Sequence, residues 1–338
     1  MALWTDIIDP AQLTGYARAA FEDYEENKGT LARWLPNREV ADISVRFIKG
    51  QTGLIPEAKY RAYDAAPNIG KSRGGQRVIL ELPALSETQI VSEYDQIRNR
   101  NSSDAALEKS IFNTTRRVVH AIADRAERLR GIVLNSGRAT IPELASDDNF
   151  GRSPSNDVTA PVLWADPDVD RIGFLEFLVD QYRDVNGVDP GSILMPAPVY
   201  KALAAGKQFK TQLLNGISRP PAFDDVKAII DGVGLPPLYR YDRRTGSGRV
   251  LDSRKLMLLP APVDANDWEG TELGATFWGQ TLTATDERYD LDAEEMPGIV
   301  TGVYRAEKPP LIAEVTGDSI NLPVLANADL SLSATVLA

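Results

Sequence analysis

The stretch SDAALEKSIFNTTRRVVHAIADRAERLRGIVLN, residues 103–135, decides the fold. Ser102, Ser103 and Asp104 offer side-chain oxygens to the free N–H groups of a first helical turn. Apolar residues recur at Leu107, Ile111, Val118, Ile122, Leu129 and Val133. Thr114 and Arg125 fill steps of the same three- and four-residue rhythm. Neither proline nor glycine interrupts the run before Gly131, and Gly137 stands as its stop. At about 1.5 Å per residue the helix is a rod of roughly 45 Å, longer than a small domain is wide. Arg116, Arg117, Asp124, Glu127, Arg128 and Arg130 fall on the other side, so one stripe should be buried and the rest wet or against a partner. A rod this long, preceded by β-like sequence, is a strut rather than the wall of an active site.

The totals narrow the function classes. At 338 residues the chain can form about two domains, each with its own core. Hydrophobic residues make up 43% and charged residues 25%, as in a soluble protein, and no apolar run reaches the ~20 residues of a membrane span. The opening Met1-Ala2-Leu3-Trp4-Thr5-Asp6 lacks the basic and apolar regions of a signal peptide. The absence of cysteine excludes disulfides, thiolate catalysis and cysteine metal sites. A net charge of −11 argues against tight nucleic-acid binding and suits a protein that stays soluble at high concentration.

Before the strut, Asp9-Pro10 reads as N-cap and first helical residue, and Leu13, Tyr16, Ala17, Ala20, Phe21 and Tyr24 make one apolar stripe ending at Gly29. Nothing nearby in sequence offers that helix a bed. Leu31 to Gly50 reads as extended. From Leu54 to Ile97 the pattern is a long two-stranded hairpin: alternation through Tyr60, Ala62 and Asp64, a turn at Ala66 to Gly75, and alternation again at Val78, Leu80 and Leu82. Each arm would span about 30 Å, and a lone two-stranded ribbon is marginal in water, so it needs a surface to lie on.

After the strut, Ile141 to Val162 reads as loop. A helix is expected from Asp166-Pro167, with Asp168 and Asp170 in its first turn and Ile172, Leu175, Phe177, Leu178 and Tyr182 on its apolar face. An α/β unit follows, about Asp189 to Thr271. It holds a strand at Ile193-Leu194-Met195, helices from Pro198 and Asp224, and paired strands Leu238 to Tyr241 and Leu256 to Leu259. Strands close the chain at Thr276 to Thr285, Ile299 to Ala306 and Ile312 to Val315. The end sets Leu330, Leu332, Ala334 and Val336 on one face against Ser331, Ser333 and Thr335.

Catalytic constellations lack their parts. Gly70-Lys71-Ser72 ends like a phosphate-binding loop, but Ala65 stands at the first glycine and Arg73-Gly74-Gly75 breaks the helix that should hold the phosphates. Asp166, Asp168 and Asp170 begin like a calcium loop, yet Arg171 replaces its glycine and Phe177 its final glutamate. The acidic run Asp286-Glu287, Asp290, Asp292, Glu294 and Glu295 has the charge to bind a cation but reads rather as a solvated loop or an inter-subunit rim. His120 is the sole histidine, and no serine sits in a G-x-S-x-G elbow. The expectation is a non-enzyme with no cofactor and no metal.

An arm helix, a long hairpin, a strut, an α/β lobe and closing strands, in that order, resemble the major capsid proteins of tailed phages. Their α+β fold is the Hong Kong 97-like fold, and the lambda-type major head proteins (capsid protein E family) are the nearest resemblance. Ser72-Arg73-Gly74-Gly75 stands at the corresponding place in that family's extended loop. Ile193-Leu194-Met195-Pro196 before a helix is similar to the start of its axial-domain helix, and Leu322 to Asp329 through Ala338 to its ending. The resemblance implies an N-terminal arm over 1–50, an extended loop (E-loop) over 51–100, and a peripheral domain with its spine helix over 101–188. An axial domain follows over 189–299, and peripheral-domain strands over 300–338. It implies that arm and loop lie on neighbouring subunits, through Tyr16, Phe21 and Tyr24 on the arm and Gly70, Lys71, Ser72, Arg73, Gly74 and Gly75 at the loop tip. Such head-to-tail contacts close into hexamers and pentamers, and two modest contacts on different neighbours add through effective concentration.

The same resemblance implies an icosahedral virion capsid that is assembled in the host cytoplasm. It would enclose double-stranded DNA without sequence-specific binding, with a portal and in some relatives a decoration protein. Fewer than ten residues precede the arm helix, so a separate scaffolding protein is expected. Some relatives cross-link a hairpin lysine to a neighbour's asparagine; Lys71 is near the tip, but no motif marks a partner asparagine or a catalytic acid. Two alternatives remain: an encapsulin-like compartment shell of the same fold, and an acidic α/β enzyme with a substrate pocket.

Overall fold

The computed structural model describes residues 2–49, 76–94, 96, 104–209, 221–267 and 271–338. The chain opens with β1 (Ala2–Leu3) and α1 (Pro10–Lys28), then β2 (Asn37–Glu39), β3 (Ser44–Lys49), β4 (Gln76–Glu81) and β5 (Ala84–Val91). The strut is α2 (Asp104–Ser136), followed by β6 (Arg138–Ile141), β7 (Ser146–Asn149) and β8 (Asp157–Thr159). Next come α3 (Arg171–Asn186), β9 (Ser192–Met195), α4 (Ala197–Ala204), α5 (Phe223–Val233) and β10 (Leu238–Arg240). After β11 (Arg244–Thr245), β12 (Gly248–Arg249) and β13 (Lys255–Leu259), the chain ends with β14 (Gly274–Gly279), β15 (Val300–Arg305), β16 (Ala313–Leu325) and β17 (Leu332–Thr335).

One six-stranded sheet runs in the order β1-β15-β16-β14-β2, with β5 also on β16. The 13-residue β16 is its axis: Ala313 to Asp318 pairs with β15, Ile320 to Leu325 with β14, and Ala313 to Ile320 with β5, all antiparallel. Along β16, Ala313, Val315 and Gly317 are buried and Glu314, Thr316 and Asp318 half-buried, the period-two signature of a sheet covered more on one face. The cover is α2, whose Ile111, Val118 and Ile122 share a core with Val91, Val303, Ala313 and Val315. Each such side chain taken out of water contributes roughly 1.5–3 kcal/mol. Helix and strand approach so closely that a Cβ at Gly317 would fall 2.7 Å from Val118 Cγ1.

A second sheet, β10-β9-β13-β17-β8, forms the α/β part with α3, α4 and α5. The expected pairing of the strands near 238 and 256 is corrected: β9 lies between them, parallel to β10 and antiparallel to β13. All four β9 residues are buried, as suits a central strand covered on both faces. The closing strand β17 pairs with β13 on one side and β8 on the other. Its serine side is not wet, since Ser331 and Ser333 are buried like Leu332 and Ala334.

Four local expectations change. Residues 141–162 are not plain loop: β6 and β7 form a short antiparallel pair and β8 joins the second sheet. Helix α3 starts at Arg171 rather than near Asp166, because Asp170 is its N-cap and accepts from the Gly173 N–H at 2.8 Å. Phe177 is 53% exposed, and Val179 takes a buried position on that helix. The base of the long hairpin pairs β4 with β3, Ser44 opposite Glu81 through Lys49 opposite Gln76, so its first arm begins well before Leu54. Residues 50–75 lie outside the described residues.

Candidate assembly surfaces and the junction that positions them

The two sheets meet where α1, α2 and the chain after Gly29 converge, and a buried polar cluster joins them. Arg130 and Glu127, on the side that the helical pattern leaves wet or against a partner, are both fully buried within the chain. Arg130 donates to Glu127 at 2.8 Å, to Glu25 of α1, to Asn37 at the start of β2, and through Nε to Thr276 Oγ1 of β14 at 2.9 Å. Glu127 also accepts from the Leu31 N–H at 2.7 Å and from the hydroxyl of Tyr241, which follows β10. One cation and its acceptors thus tie together α1, α2 and segments of both sheets. Burial alone would lower the Arg130 guanidinium pKa, but Glu25 and Glu127 outweigh it and hold the value above the ordinary one. Burial and then Glu127 push the Tyr241 phenol up, so Tyr241 is a donor here. Gly131, one residue on, lets α2 touch the chain after β12: a Cβ there would fall 2.5 Å from the Val250 carbonyl oxygen.

The arm residues have partners within the chain. Tyr16 meets Phe112 edge-on at 4.6 Å, Phe21 meets Trp278 at 5.3 Å, and Tyr24 stacks on His120 at 3.8 Å and 16°. The expectation that this helix lacks a bed is therefore corrected: its apolar stripe is spent on α2 and β14, and Glu22, Asp23 and Glu26 remain exposed. The bed was invisible in sequence because α2 begins about eighty residues later. Tyr24 also donates to Asp124 at 3.2 Å, and Arg243 pairs with Asp124 at 3.0 Å while lying over the Tyr24 ring. Burial lowers the His120 pKa, and Arg116, Lys28 and Arg243 lower it further against the pull of Asp124.

The loop-tip residues Gly70, Lys71, Ser72, Arg73, Gly74 and Gly75 lie outside the described residues. The hairpin base is visible. Val45, Phe47 and Leu80 face the main core, whereas Ile79 is 58% exposed beside the exposed Arg46 on β3. Ile90 on β5 is also exposed, and along that outer face Ser86 donates to Asp318 at 2.6 Å and Thr88 meets Thr316 at 3.0 Å. In the acid-rich run Asp286 is engaged by Arg288, which holds it down at about 2, and among the described residues there is no group of three or more histidine, cysteine or acidic side chains that could hold a metal ion.

A hairpin base, a spine helix under a sheet and an α/β unit on a second sheet define the Hong Kong 97-like fold of tailed-phage major capsid proteins, and solved structures share it. The protein assigned as the capsid protein of a prophage of E. coli CFT073 superposes with a TM-score of 0.63 over 98% of this chain and 99% of that one, at 15% identity. A phage-related protein from Bordetella bronchiseptica RB50 gives 0.57 at 13% identity, over 97% and 96%. The capsid of Myoviridae phage XM1 gives 0.51 at 13% identity, over 90% of each chain. No family model matches the sequence, and no curated protein does.

Proposed function

We propose that this chain is a structural major capsid protein that self-assembles into hexamers and pentamers of an icosahedral head around double-stranded DNA. The observation that carries this reading is the shared fold over nearly the whole of both chains with the prophage protein. The chain would act without catalysis, in the virion, after assembly in the host cytoplasm. Residues 1–50 serve as the arm and 51–100 as the extended loop. Residues 101–188 and 300–338 form the peripheral domain, and 189–299 the axial domain. Strand β17 is then the piece of the last segment that the axial sheet borrows.

In this reading the loop tip, Gly70 to Gly75, reaches a neighbouring subunit. The arm reaches one through the exposed acidic side of α1, because Tyr16, Phe21 and Tyr24 hold it to its own spine. A scaffolding protein, a portal and a decoration protein are the further partners proposed. Negative-stain microscopy of the expressed chain, with light scattering on the same sample, tests the proposal. Closed shells or five- and six-membered rings are expected. A persistent monomer of 37.0 kDa, even with a scaffold supplied, would sink it.

A further inference from the structure

The chain carries 48 acidic against 37 basic side chains, yet one side of α2 departs from that balance. Lys109, Arg116 and Arg117 are exposed and Arg128 half-buried, at helical spacing that puts them on one stripe opposite the buried one. Arg116 and Arg117 reach only the neutral oxygens of Asn113, each at 3.4 Å, and Arg128 reaches the Ser247 carbonyl at 3.0 Å. Both acids on this stripe are spent: Asp124 is taken by Arg243 and Tyr24, and Glu127 is buried with Arg130. The remaining members are Asn113 and His120, and Lys28 of α1 lies over the Tyr24 ring beside them. From Lys109 to Arg128 the stripe extends about 29 Å.

Such a surface is unlike a protein–protein contact, whose core is depleted in charge and rich in aromatic side chains. It has what a phosphate backbone needs, a row of cations with their charge unspent. We infer that the exposed stripe of α2, Lys109, Arg116, Arg117 and Arg128, is a sequence-independent contact surface for the phosphate backbone of nucleic acid. The inference rests on the shell reading for the nucleic acid being the enclosed one. It orients the chain: α2 faces the lumen, and the sheet face carrying Glu314, Thr316 and Asp318 faces away. Each copy binds weakly, in keeping with the net charge, and a closed shell adds the contacts up.

The test uses the full chain, a fluorescent duplex of random sequence, and anisotropy over a range of salt, with light scattering to report assembly separately. Binding is expected at low ionic strength, with a log–log salt slope of about −3.6 for four phosphate contacts. Arg116→Glu with Arg117→Glu should weaken it at least tenfold and flatten the slope by about 1.8. The milder pair Arg116→Gln and Arg117→Gln should act in the same direction, and Arg183→Glu, on α3, should change nothing. No binding at low salt, or an unaltered slope in both double variants, overturns the inference. So does a double variant that loses shells but keeps its DNA affinity, which would give the stripe to the acidic face of a second copy. DNA binding by a chain that never forms shells upholds the stripe and sinks the capsid reading instead.

Discussion

Arg130 Nη1 lies 2.8 Å from Glu127 Oε2, three residues earlier on the same helix, and neither side chain has any solvent exposure. An i,i+3 pair on a helix surface contributes a few tenths of a kcal/mol. Here the pair is sealed in, with Glu25 as a third charge, so its removal and its presence have very different consequences.

Replacing Arg130 by Met keeps the volume and leaves Glu25 and Glu127 facing each other without a cation. A loss of about 3–5 kcal/mol is expected. Urea unfolding followed by circular dichroism checks it, with Arg116→Gln as an exposed control that should stay within ~0.5 kcal/mol. Equal, small losses in both would mean that the junction does not depend on the buried cation.

His120 is expected to give the chain a pH dependence of stability below 6.5. Its folded pKa lies below the ordinary 6.5, so folding favours the neutral ring and the α1–α2 contact through Tyr24. That contribution is complete above 6.5 and is lost as pH falls from there towards the folded pKa, with no further loss beneath it. The single imidazole signal in a proton NMR titration should move at a pH below 6.5, and His120→Phe should remove the matching dip in melting temperature. A midpoint at or above that value would reverse the sign.

Gly317→Val forces three heavy atoms into the space that Val118 and Ile122 already occupy, and a cost of about 1–3 kcal/mol or more is expected. Gly15→Ala is the contrast: its Cβ meets nothing within 4 Å on helix α1, so a gain of about 0.4–1 kcal/mol is expected. Paired calorimetric scans would show shifts of opposite sign.

Removing residues 63–75 should spare the fold, since β3 and β4 remain, but leave capsomers or monomers in place of stable shells. Light scattering and microscopy on the variant report this directly. Shells of normal size and heat stability would show that the loop tip adds nothing to assembly.

The sequence by itself determined the elements whose signals are local. Periodicity places the strut over 103–135 and it stands at Asp104–Ser136; the arm helix begins at Pro10 and stops before Gly29, as its caps dictate. Periodicity and capping involve neighbours a few residues away, so one sequence suffices to read them. The element order likewise carried the capsid fold. Tertiary structure alone decided what each face meets. Glu127 and Arg130 have the side chains of a wet surface and are buried, because Glu25, Thr30, Asn37, Tyr241 and Thr276 arrive from four distant segments to satisfy them. β3 found β4, β17 found β13 and α1 found α2 for the same reason: hydrogen-bonding backbone and apolar stripes fix that a partner is needed, and only the folded chain fixes which one.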